Sequence, residues 1–122
     1  MAKVAEDDAR EERIAMEIVV DAYGEEERAM GWYYYLDDKL SFPFKALLIE
    51  KSRTSAQKKG TEVVVVGMSP EEECLHEMFV EVEYDGDIFS MRLKEIEAPA
   101  ADEDTQEAIA DWHYWLARGY EL

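Results

Sequence analysis

The side chains in this sequence best placed for chemistry are carboxylates, and the pair that most needs explaining is Asp37-Asp38 in "GWYYYLDDKL", residues 31–40. Residue periodicity places them at the end of a helix, where unbonded carbonyls already concentrate partial negative charge. Carboxylates there cost on the order of 0.3–1 kcal/mol each, and Lys39 offsets only part of that. A bound cation reverses the sign. Aspartate oxygens and free helix carbonyls are hard ligands, and calcium, which takes about six to eight oxygens in flexible geometry, suits them better than magnesium. A solvated Asp pair that merely stops the helix fits the same pattern equally well.

Other acidic groups extend the candidate metal-ligating set to Glu71, Glu73, Glu81 and Glu83. Glu71, Glu72 and Glu73 form an acidic turn that either binds an ion or complements a short helical turn. Glu81 and Glu83 leave one strand face about 7 Å apart, close enough to share a cation, although a wet sheet face explains them too. "DEDTQE" begins like an EF-hand loop and fails, because Glu107 and His113 occupy the positions that need Gly and Glu. "CLH" puts Cys74 and His76 in alternation on an expected strand, but nothing supplies the orienting group or oxyanion site that a nucleophilic pair needs. The sequence has no phosphate-binding glycine loop, nucleophile elbow or zinc spacing, so it predicts no enzyme.

The elements that must position these residues follow from spacing. Residues 7–23 read as a helix, with Ile14, Ile18, Val19 and Ala22 on one face and Gly24 as its stop. A second helix runs from about Glu25 to Asp38, with Glu25, Glu26 and Glu27 complementing its dipole and Ala29, Trp32, Tyr33, Leu36 and Leu40 sharing a face. Pro43 forces it to end before Phe42, and the two helices make a hairpin. Residues 44–53 read as a strand, "TSAQKKG" as a polar connection, and "TEVVVVG" as a strand buried on both faces. In "SPEEE", Ser69 is placed to cap, Pro70 to start and Glu72 to close a capping box. Asp85-Gly86 predicts a two-residue type I′ hairpin pairing Tyr84 with Asp87, Glu83 with Ile88, Val82 with Phe89 and Glu81 with Ser90. A last helix spans about Thr105 to Arg118, with Asp104 and Glu107 at capping-box spacing, Ile109, Trp112 and Leu116 on one face, and Gly119 after it. The expected fold is α+β: a compact single domain over 1–122, with an antiparallel sheet of four to five strands, an N-terminal helical hairpin and a C-terminal helix.

The charge balance bounds the partners. Across 122 residues, 30 acidic against 13 basic residues leave a net charge of −17, while the 48% hydrophobic content is that of a folded domain. Such a field repels nucleic acid and anionic membrane surfaces and attracts cations or a basic protein partner. It exceeds what solubility alone asks of a small domain. Six basic residues, Lys39, Lys45, Lys51, Arg53, Lys58 and Lys59, fall within residues 39–60 and predict a local basic patch. A single cysteine, an acidic start and no membrane-length apolar run point to the cytoplasm.

From Ile18 to Phe44, through "VVDAYGEEERAMGWYYYLDDKLSFPF", the chain resembles the small acidic calcium-binding proteins of cyanobacteria of the CcbP type, and "DWHYWLARGYEL" resembles their C-terminal signature. The resemblance implies a compact α/β domain that binds calcium through acidic side chains and negative surface charge, without an EF-hand. It also implies a role in buffering or signalling free calcium in the cytoplasm. It assigns to Asp38, with Asp37 beside it, the position of the calcium-binding aspartate that follows "GWYYYL". The expected site combines Asp38 with diffuse binding elsewhere, at dissociation constants in the upper half of the roughly 10⁻⁷–10⁻⁵ M sensor range. The rival expectation is an acidic interaction protein that occupies a basic partner's nucleic-acid site, showing no preference for calcium over magnesium and no special role for Asp38.

Overall fold

The computed structural model describes residues 7–20, 22–49 and 58–120. Helix α1 (Asp8–Arg13) starts at Asp7, whose side chain accepts the Arg10 N–H at 3.0 Å, and continues as a π-type turn over Ile14–Ile18 closed by Val19 N–H to Ile14 O. The helical stretch expected to reach residue 23 therefore ends at Ile18. Helix α2 (Glu25–Lys39) has no side-chain cap at Gly24, and the three glutamates of its first turn supply the favourable charge instead. Ala29, Trp32 and Leu36 are its buried stripe, continued by Leu40 just past its end. At its C-terminus Leu40 turns extended, and Pro43 could not have donated to Lys39 O in any case.

Five strands follow: β1 (Phe44–Leu48), β2 (Glu62–Met68), β3 (Phe79–Tyr84), β4 (Asp87–Arg92) and β5 (Ile96–Glu97). They form one antiparallel sheet in the order β4-β3-β2-β1-β5. The order has a geometric consequence. From Arg92 to Ile96 the chain can span at most about 14 Å at full extension. A flat sheet would hold β4 and β5 roughly 19 Å apart across four strand spacings. The sheet must curl, and the short 3-10 turn Leu93–Glu95 closes the gap: Leu93 N–H donates to Met78 O beside β3, and Ile49 N–H donates to Glu95 O beside β1.

The β3–β4 hairpin has the register that its turn dictates, from Tyr84 opposite Asp87 to Val80 opposite Met91. Asp85 (φ 52°) and Gly86 (φ 84°) both adopt positive φ, as a type I′ turn requires. Between β2 and β3 the register slips at Val66, a bulge between the Val65–Val82 and Gly67–Glu81 pairs.

Helix α3 (Glu103–Ala117) lays Ala108, Ile109, Trp112 and Trp115 into the core that the inward strand residues Ala46, Val63, Val65, Val80, Val82 and Met91 share. Trp32 meets Trp112 edge-on at 5.0 Å and Trp115 at 5.6 Å, so tryptophans weld α2 to α3. Beside them lies Asp111, fully buried yet fully partnered: Arg10 Nη1, Arg13 Nε and Nη2, and the Tyr35 hydroxyl all donate to it. Helix α1 buries none of its own residues. Its attachment is this ion cluster, the bonds from Tyr114 and Tyr120 to Glu11, and the two isoleucines that follow.

Several expectations need correction. "TEVVVVG" is not buried on both faces; Val63 and Val65 are buried while Val64 and Val66 are half-exposed, because the core lies on one face only. Ser69 does not cap a helix; its hydroxyl pairs with that of Ser90, Pro70 is extended, and only a 3-10 turn forms over Glu71–Glu73. Residues 74–77 are irregular, so Cys74 and His76 do not alternate along a strand. The cap of α3 is Asp102, accepting from Thr105 N–H at 2.8 Å, and not Asp104. Strand β1 ends at Leu48, and residues 50–57, which the expected strand and connection also covered, lie outside the described residues.

Candidate functional site

The C-terminal end of α2 is built from backbone groups whose partners have been taken elsewhere. The carbonyl of Asp37 would normally accept from Ser41 N–H, but that group donates to Thr105 Oγ1 at 2.9 Å. The carbonyl of Asp38 would accept from Phe42 N–H, which turns instead to Leu40 O at 3.2 Å. The carbonyl of Lys39 faces Pro43, which has no N–H to give. Three carbonyl oxygens thus close the helix without their usual donors, and the side chains of Asp37 and Asp38 are exposed beside them.

The acidic turn Glu71–Glu73 is fastened to the same helix. Tyr33 donates its hydroxyl to Ser69 O at 2.8 Å, and Tyr34 donates to Glu71 Oε1 at 2.7 Å. Tyr33 lies one turn before Asp37, and Tyr34 one turn before Asp38, so each tyrosine shares a helix face with an aspartate. Burial pushes the Tyr33 phenol pKa up, and the charges of Cys74, Asp37 and Glu71 add to the shift. The hydrogen bond to Glu71 likewise raises the Tyr34 pKa.

The remaining candidates are placed differently. Glu73 is exposed in the turn and acts on Cys74. Glu81 and Glu83 project from β3 away from the core-facing Val80 and Val82: Glu81 is half-buried opposite Ser90, and Glu83 is exposed between Val64 and Ile88. Lys45 joins that row across Val64. Among the described residues no three carboxylate, imidazole or thiol groups converge closely enough to hold a metal ion. At the α2 end itself the oxygens available to an ion are those of Asp37, Asp38 and the terminal carbonyls. Of the basic patch, Lys45, Lys58 and Lys59 are exposed, and Lys51 and Arg53 lie outside the described residues.

A Cys/His nucleophile has no basis in this geometry. Cys74 is fully buried, its thiol pKa raised by that burial, with Sγ between the backbone N–H and carbonyl of Phe79, whereas His76 is exposed. Sequence reasoning put Tyr33 on the core-facing stripe of α2 and missed the hydroxyls of all three tyrosines. Their one visible signal is adjacency: three phenols in a row on a helix must point three ways.

These features describe an acidic domain that attracts cations and presents hard oxygens at a helix end. Comparison with known proteins gives the same class. A family described as calcium binding, CcbP, matches residues 12–116, and the chain belongs to that family. It is similar over the whole of both chains to the crystal structure of Anabaena CcbP, at 54% identity and a TM-score of 0.89. A second structure, of a calcium binding protein in the calcium-binding form, is also 54% identical over the full length of both chains, with a TM-score of 0.87. No curated protein matches.

Proposed function

We propose that this chain binds calcium reversibly as a cytoplasmic buffer or signalling protein, acting as a single acidic domain over 1–122 and without an EF-hand. The observation that carries the reading is the α2 terminus, where three carbonyls without their usual donors meet Asp37 and Asp38. Those groups repel one another when alone and are all satisfied by one divalent cation, which turns an unfavourable helix end into a site. Asp38 and Asp37 are its centre, Glu71 and Glu73 come from the neighbouring turn, and Glu81 and Glu83 bind more diffusely on the sheet face. The net charge of −17 concentrates cations near all of them. No bond is made or broken. The cytoplasmic assignment rests on the single cysteine.

Linkage supplies a test. An ion that binds only the folded chain stabilises it by about 2.7 kcal/mol at one hundred times its dissociation constant. For a constant near 10 μM, 1 mM calcium should then raise the midpoint of thermal unfolding by roughly 10 °C or more. The measurement is thermal unfolding in chelator, in 1 mM calcium and in 1 mM magnesium at physiological salt. A rise with calcium well above that with magnesium is expected. Equal effects of the two ions would replace the site with a counterion cloud and favour the basic-partner reading.

A further inference from the structure

The end of β5, the turn that follows it and one face of α3 enclose a cavity of about 240 Å³. The buried Ala98 and Ile109 form its floor and Ala110 part of its wall, while Glu97 and Gln106 are exposed and stand at its mouth. A benzene-sized molecule fits an apolar cavity of about 150 Å³, so this one has room for a small ligand. The frame around it is fixed. Ala101 N–H donates to Ala98 O at 3.1 Å, and Gln106 Nε2 donates to Pro99 O at 3.1 Å and to Ala101 O at 2.8 Å. Those two bonds engage both amide hydrogens of Gln106, so its Oε1 is left to accept. Glu97 offers a carboxylate, which also only accepts. His113 turns Nε2 towards Leu93 O at 3.4 Å, and burial lowers its pKa, so the ring brings no positive charge at pH 7.

We propose that this cavity binds a primary alkylammonium group, with the alkyl chain over Ala98, Ile109 and Ala110 and the ammonium at Glu97 and Gln106. The ligand chemistry follows from the lining. An apolar floor takes a hydrocarbon chain, and a mouth that offers acceptors takes a donor. A charged donor is favoured over an alcohol, because a hydrogen bond between an ammonium and a carboxylate is the stronger one. The net charge of −17 draws such cations to the surface. Two further cavities, of about 290 and 90 Å³, both have Lys45 in their lining and would repel an ammonium. Because the bonds of Gln106 hold one side of the mouth in advance, little ordering has to accompany binding. The same group occurs in a free small amine and at the end of a lysine side chain on a partner protein.

The test is proton–nitrogen correlation NMR of the full chain, in chelator at neutral pH and physiological salt, titrated with n-butylammonium chloride. Ethylammonium, ammonium, n-butanol and Nα-acetyl-lysine N-methylamide are titrated in parallel. The butylammonium ion should shift the amides of Ala98, Gln106, Ala110 and His113 saturably. Ethylammonium, two methylenes shorter, should bind about tenfold more weakly. Glu97→Gln, at an exposed position, should weaken butylammonium about threefold. Ala110→Phe, which fills the cavity from a half-exposed position, should abolish the shifts, with its fold checked by near-UV circular dichroism. Either result with the lysine amide upholds the ammonium site: tighter binding than butylammonium assigns it to a lysine of a partner protein, and weaker binding to a free amine. Three results would overturn it. Shifts spread over the acidic surface and matched by ammonium would mean counterion association. Equal binding of n-butanol would mean that the charge is not recognised. Unchanged binding by folded Ala110→Phe would put the ligand elsewhere. If Ala110→Phe does not fold, Glu97→Gln and the comparison of chain lengths decide the matter.

Discussion

Replacing Asp111 with alanine should be the most damaging single change in the charged part of this protein. The carboxylate has no exposed surface and accepts from Arg10, from two nitrogens of Arg13 and from Tyr35. The guanidinium pKa of Arg13 is held above its usual value, chiefly by its hydrogen bond to Asp111. The Tyr35 phenol pKa is raised by burial first and by the same carboxylate second. Removing one partner from a buried ion pair costs about 3–5 kcal/mol, because the other charge is left behind. Here the side chains of Arg10 and Arg13 keep 24% and 22% of their surface in water. The orphaned cations can therefore rehydrate in part, and the lower end, about 3 kcal/mol, applies. That is a large share of a reserve of roughly 5–15 kcal/mol, and with an m-value near 1.5 kcal/mol/M it should lower the urea midpoint by about 2 M. Urea unfolding of Asp111→Ala against wild type, with the exposed Glu12→Ala as a neutral control, measures it directly. A loss below about 1 kcal/mol at unchanged m-value would show that the arginines are solvated in the folded state, and the ion cluster would not be what holds α1.

Gly31→Ala should destabilise by about 1–3 kcal/mol in the same assay, because the added Cβ would overlap the carbonyl oxygen of Ile18 where α2 passes the end of the first helical segment; an unchanged midpoint would mean the two segments do not touch. His113 gives a pH effect. Burial lowers its pKa, and its contact with Leu93 O only partly opposes that. Both states are neutral there above about pH 6.5, so this contribution is intact; as pH falls below it, the unfolded chain takes a proton that the folded chain refuses, and stability drops until the folded pKa is reached. The difference in stability between wild type and His113→Gln, followed from pH 7.5 to 5, should show that slope, and a flat difference would refute it.

How much of this was legible in the sequence depended on how far apart the cooperating residues lie. The hairpin at Asp85-Gly86 was fully legible, register included, because turn chemistry and alternation act over a few neighbouring residues. The end of α2 was legible for a similar reason, because Pro43 bars the helix from continuing within a few residues of Asp38. Strand β5 was not, since two residues carry no periodicity and exist as a strand only because the sheet curls back on them. Nor was Asp111, whose partners Arg10 and Arg13 stand 101 and 98 residues away. The reading of four valines as a doubly buried strand failed because only one face of the sheet meets the core. The tyrosine bonds that fasten the acidic turn to α2 were not legible either, since they join residues 36 and 37 apart and depend on the tertiary fold.

The central claim is that calcium is held at a specific place, the end of α2. Calorimetric titration with calcium at physiological salt and millimolar magnesium, on wild type and on Asp38→Ala, tests it most directly. A saturable calcium site in wild type that weakens at least tenfold in Asp38→Ala is the predicted result. Binding that is weak, indifferent to the substitution and displaced by magnesium would contradict it, and would leave the negative surface as a partner for basic proteins.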